Sequence, residues 1–148
     1  MKKSDLPVEI IFKSVNPNRL LKVKTAETLK LLGQIEGVKK LPEIVFTDNK
    51  NIRKLNRLYR YKDEATDVLS FEYGKGAELP GEIIISLETA KKQALKYGNS
   101  YLTETIILLT HGFYHILGYT HYRKQAYRKM KKKEEAALLI FKKKRILC

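Results

Sequence analysis

All three histidines of this 148-residue chain lie in one short stretch, HGFYHILGYTH, from His111 to His121. Their spacing is H-x3-H-x5-H. Two histidines four apart on a helix project from one face, about one turn apart, so both imidazoles can reach one metal ion. Gly118 follows three residues after His115 and can end the helix in a left-handed turn. That reversal returns His121 towards the pair as a third ligand. Three neutral nitrogens with one open position is the pattern of a catalytic zinc site, and nickel or another divalent ion suits the same donors.

A zinc protease of the H-E-x-x-H type carries a glutamate straight after its first histidine, as the base that takes a proton from water. Here that place holds Gly112. A metal ion lowers the pKa of its water from about 15.7 towards 7 without such a base. Loss of the carboxylate also removes a negative charge beside the metal. An anionic phosphodiester fits this better than a peptide does.

The elements that must carry these residues follow from periodicity and caps. VEIIFKSV, LPEIVFTD, TDVLSFEYG and GEIIISL read as strands. A helix is expected from Asn18, a second over NKNIRKLNRLYR with Ile52, Leu55 and Tyr59 on one face, and a third ended by Gly98. SYLTETIILLTHGFYHILG is apolar on most sides, so the helix bearing His111 and His115 is central and buried. A last helix starts near His121 and has a very basic exposed side. The order β-α-β-α-β-β-α-α-α predicts one α+β domain over residues 1–148, a small mixed four-stranded sheet packed on helices.

The formal charge is +14, from 30 Lys and Arg against 16 Asp and Glu. This excess favours a polyanionic partner, although lysine-rich solvated surfaces also occur in heat-adapted proteins. The run Arg128–Lys133, joined to Lys142–Arg145, reads as a solvated helix face that could also follow an RNA backbone. The single cysteine, Cys148, forms no disulfide within the chain, which suits a reducing cytoplasm. No secretory signal is visible at the N-terminus, and no apolar run is long enough to span a bilayer.

HGFYHILGYTH resembles the H-G-x-L-H-L-x-G-Y-D-H signature of the YbeY family, metal-dependent endoribonucleases of bacterial rRNA maturation. LNRLYRYKDEATDVLSF, from Leu55 to Phe71, resembles the family's L-N-x-x-Y-R-x-K-D-x-x-T-D-V-L-S-F-P block. GEIIIS, from Gly81 to Ser86, resembles its G-D-I-x-I-S strand. The resemblance implies a zincin-like fold and one zinc per chain held by His111, His115 and His121. It assigns catalytic parts to Arg60 and to metal-bearing His111.

The implied reaction is hydrolysis of single-stranded RNA by metal-activated water or hydroxide. The implied setting is small-subunit rRNA 3′-end processing and ribosome quality control in the cytoplasm, with rRNA and the small ribosomal subunit as partners. Two positions depart from the pattern. Thr120 stands where the family has Asp, and Glu72 where it has Pro. The alternatives are an RNA-binding assembly factor with a structural metal, or a metalloprotease-like hydrolase. Other residues carry two readings each. Arg60 binds phosphate or pairs with Asp63 or Glu64. Asp67 braces its strand or supports a histidine. Ser86 borders the cleft or sits in plain sheet. Tyr114 and Tyr119 stack on bases or pack in the core.

Overall fold

The computed structural model describes residues 6–74, 76–120 and 122–147. His121 and Cys148 lie outside the described residues. The element order is β1 (Ile10–Phe12), α1 (Arg19–Glu36), β2 (Glu43–Thr47), α2 (Asn49–Arg60), β3 (Val68–Glu72), β4 (Gly81–Ser86), α3 (Leu87–Tyr97), α4 (Tyr101–Ile116) and α5 (Lys124–Lys143). This is the expected order. The strands form one sheet in the order β1-β2-β4-β3. β1 and β4 run parallel to β2, and β3 runs antiparallel to β4.

Helix starts are set by side chains that accept the orphan N–H groups of the first turn. Asn18 accepts from Leu21, Asp48 from Asn51, Ser86 from Thr89 and Ser100 from Thr103. Gly98 closes α3 in the left-handed region, at φ 71°. α5 begins three residues later than expected, at Lys124. Arg123, which precedes it, makes no side-chain cap. β1 is only three residues long, where a longer strand was expected. Among the described residues it is an edge strand that pairs with β2 alone, in register from Ile10 to Phe12, and Lys13 N–H still donates to the Phe46 carbonyl.

Strand alternation divides the interior in two. Ile44, Phe46, Ile83 and Ile85 face a core built with α1, α3, α4 and α5. Val45, Leu69 and Ile84 face the other way, onto Ile52 of α2. β4 is covered on both faces, which is why GEIIIS reads as a continuous apolar run. Ile83, Ile84 and Ile85 are 0%, 3% and 0% exposed. Burying each contributes about 1.5–3 kcal/mol.

α4 is the central helix of the larger core, as its all-round apolar sequence predicts. Ile106, Leu109 and Phe113 are almost fully buried. It packs on β3 and β4 and touches α1, α3 and α5. No helix among the described residues is long and apolar enough to cross a membrane.

Candidate metal and phosphodiester cleft

The cleft is built on the free edge of β3. Antiparallel pairing to β4 uses one side of the strand, and among the described residues no strand pairs with the other. Residues 66–72 line a depression of about 730 Å³ along that edge, together with Arg60, His111, His115, Gly118, Tyr119, Thr120 and Tyr122.

α4 lies so close to the sheet here because residue 112 has no side chain. A Cβ at Gly112 would stand 2.7 Å from Cγ2 of Ile83, 3.1 Å from Oγ of Ser70 and 3.3 Å from Cγ2 of Val68. Ser70 and Ile83 are direct cross-strand partners, and the Ser70 hydroxyl donates to the Gly112 carbonyl at 3.2 Å. The absent glutamate thus has a packing cause. There is no room for a side chain where a zinc protease keeps its base.

His111 and His115 bring their Nε2 atoms to 3.1 Å of each other. Two ligands of one tetrahedral zinc, each at about 2.0–2.1 Å, stand about 3.3 Å apart. The pair therefore fits one ion. The opposite nitrogen of His111, Nδ1, lies 2.6 Å from Oε1 of Glu134 on α5. A carboxylate on the far nitrogen of a ligating imidazole fixes the ring and directs Nε2 outward. Among the described residues no group of three or more His, Cys, Asp or Glu gathers at metal-binding distance. The third expected ligand, His121, lies outside them. The chain turns after α4 at Gly118, whose φ of 98° suits glycine.

Arg60 ends α2 and reaches the cleft rim. Its Nη2 donates to the Ser70 carbonyl at 2.8 Å, and its guanidinium lies 5.1 Å from the centre of the Phe71 ring. Asp63 is taken instead by Arg53, through two contacts of 2.9 and 3.2 Å. That fork holds the Asp63 carboxyl below its ordinary pKa. One nitrogen of Arg60 holds the strand edge, and the residue lines the same depression as the histidines.

Asp67 accepts from the backbone N–H of Val68 at 2.8 Å and from Gln93 at 3.1 Å. It braces the start of β3, while the carboxylate at His111 is Glu134. Ser86 is fully buried and caps α3, donating to Asn49. β4 is interior and β3 is the edge, so Ser86 is not among the residues that line the cleft. Tyr114 is core, 1% exposed, with its hydroxyl 3.2 Å from Glu36. Tyr119, Thr120 and Tyr122 line the cleft wall. Sequence reasoning missed Glu134 and Tyr122. A signal for Glu134 was present, since it is the first acidic residue in α5 after a run of cations.

The fold and site together define an α+β protein with a histidine pair and an arginine facing one cleft along an edge strand. The sequence profile of the family described as Endoribonuclease YbeY matches residues 13–142, and the chain belongs to that family. Endoribonuclease YbeY of Geobacillus thermodenitrificans is 42% identical, over 72% of this chain and 81% of its own. Endoribonuclease YbeY of Carboxydothermus hydrogenoformans is 45% identical, over 66% of this chain and 70% of its own. The solution structure of TM1509 from Thermotoga maritima shares the fold, with a TM-score of 0.59 at 22% identity and 95% coverage of both chains.

Proposed function

We propose that this chain is a zinc-dependent endoribonuclease that cuts single-stranded RNA. The observation that carries the reading is the convergence of two imidazole Nε2 atoms, 3.1 Å apart, in a cleft that Arg60 also lines. The family supplies the class of substrate. The ion would be held by His111 and His115, with His121 as third ligand. When bound, such an ion supplies Lewis acidity and lowers the pKa of its water.

The protein residues do the rest. Glu134 holds Nδ1 of His111 so that Nε2 faces the cleft. The Arg60 guanidinium, with one nitrogen committed to Ser70, uses its remaining donors to grip a phosphate and to stabilise charge that develops on it. The open edge of β3 forms the floor along which the strand lies. Thr120, where the family has Asp, accepts or donates one hydrogen bond but carries no charge. Gly112 leaves no carboxylate at the protease position, which argues against a peptidase. The substrate in the cell would be rRNA in the small ribosomal subunit. Cytoplasmic 3′-end processing and quality control would be its setting, with residues 1–148 working as one domain.

The test is direct. Zinc-loaded protein and a His111→Ala variant are incubated with labelled single-stranded RNA and with casein. RNA should be cut by the first protein alone, and casein by neither. Cleavage of casein would reverse the substrate assignment, and cleavage of RNA by both proteins would remove the metal site from the reaction.

A further inference from the structure

α2 carries Lys50, Arg53, Lys54, Arg57 and Arg60 and no acidic residue. All five cations are exposed, while Ile52 and Asn56 on the opposite side are buried. Residues three or four apart on a helix are neighbours, so these five form one stripe. Ten residues separate its ends, which is about 15 Å along the axis. Like charges at this spacing destabilise a helix, and an anionic ligand would offset that cost.

The stripe is not an isolated surface patch. A groove of about 570 Å³ runs beside it, lined by Lys50, Arg53, Lys54, Arg57, Asp63 and Glu64 among others. Four cations there face two carboxylates, and one of these, Asp63, is already forked by Arg53. The groove continues towards the cleft. Glu64 and Ala65 line the groove, and the next two residues, Thr66 and Asp67, line the cleft. Arg60 is the last cation of the stripe and the first residue of the cleft rim. The cations of α5 are arranged differently. Lys133 is held by Glu36, and Lys131 lies over the Tyr127 ring.

We infer that the α2 stripe is a docking track for single-stranded RNA, binding consecutive phosphates of the strand that enters the cleft past Arg60. This rests on the proposed substrate class and adds to it where the strand lies. Phosphate contacts of this kind set position and affinity without reading bases.

Binding is measured by fluorescence anisotropy with a labelled single-stranded RNA of about twenty nucleotides, with chelator present so that nothing is cut. The variants are Lys50→Ala/Lys54→Ala/Arg57→Ala on α2 and Lys142→Ala/Lys143→Ala/Lys144→Ala at the end of α5 and its C-cap, which remove equal charge. The α2 variant should bind at least about tenfold more weakly at moderate salt. Its log–log salt slope should be shallower by about 2, since each lost phosphate contact on a single strand is worth about 0.7. The α5 variant should keep the wild-type slope. If the α2 triple variant fails to fold by circular dichroism, Arg57→Glu alone serves, with an affinity loss of similar size. Equal losses in the two triple variants, an unchanged slope in the α2 variant, or no RNA binding by the wild type would overturn the track. Because the readout is binding, a chain that holds RNA through α2 yet never cuts it removes the endoribonuclease reading and leaves this one.

Discussion

Glu134 stands behind His111, with its Oε1 2.6 Å from Nδ1, while the Nε2 of His111 meets that of His115 on the cleft side. The cleft-side nitrogen is therefore oriented from a different helix. Glu134→Gln keeps a hydrogen-bonding group of the same shape but removes the charge. It should weaken zinc binding by about 10- to 100-fold, as loss of such supporting groups does elsewhere. Chelator competition measures this without any RNA. Wild-type zinc affinity in the variant would show that the contact is only a helix-to-helix tie.

At Gly112 α4 lies against Ile83, Ser70 and Val68 of the sheet with no room for a Cβ. Gly112→Ala should destabilise the protein by about 1–3 kcal/mol, the usual cost of overpacking, read by urea unfolding. Gly112→Glu should lose far more and gain no peptidase activity, because its Cβ alone meets Ile83, Ser70 and Val68. A stable Gly112→Glu protein would mean that α4 moves off the strand more easily than its contacts imply.

Arg60 has one nitrogen on the Ser70 carbonyl and its face on Phe71. Arg60→Ala should lower turnover on the order of 10²-fold, the scale for losing one charge-stabilising donor, and weaken RNA binding less than tenfold. Arg60→Lys should recover only part, because an ammonium keeps the charge and loses the planar fork. Full turnover in Arg60→Ala would leave the residue as a clasp on β3.

Tyr114 gives a pH signature. Burial, and then the Glu36 carboxylate beside its hydroxyl, push its pKa above the alkaline range in which tyrosines ordinarily titrate. The folded state keeps the proton longer than the unfolded chain does. Its contribution to stability is whole below the ordinary tyrosine pKa of about 10 and is lost as pH rises beyond it. In an alkaline titration followed by tyrosinate absorbance, the last of the tyrosines to ionise should do so only with unfolding. Tyr114→Phe should remove that late step.

Much of this was legible in the sequence because the signals are local. α2 and α3 sit where Asp48, Ser86 and Gly98 place their ends, and the HGFYH spacing alone put both imidazoles on one helix face. What was not legible depends on long-range pairing. Ser86 could border the cleft or sit in plain sheet until the strand order placed β4 between β2 and β3. Tyr59 shares a face of α2 with Ile52 and Leu55 by spacing, yet Ile52 is buried while Tyr59 is 61% exposed and makes a T-shaped contact with Phe71. Arg60 and Arg53 both had acidic neighbours in sequence, and only the turn after α2 decides that Asp63 goes to Arg53. Glu134 falls on the Met130–Ala137–Phe141 face of α5, but it is 23 residues from His111, and only the docking of the two helices decides which residue of α4 it meets.

Lys133 and Glu134 are consecutive on α5, one held by Glu36 of α1 and the other by His111 of α4. The two ties span 97 and 23 residues of sequence. A chain emerging from synthesis in N- to C-terminal order therefore has His111 and His115 well before it has the group that aims them. The orienting carboxylate arrives only when α5 has been made and docked on α1 and α4. The aim of His111 towards the cleft is thus completed by the last helix in the element order, α5, and not by α4 itself.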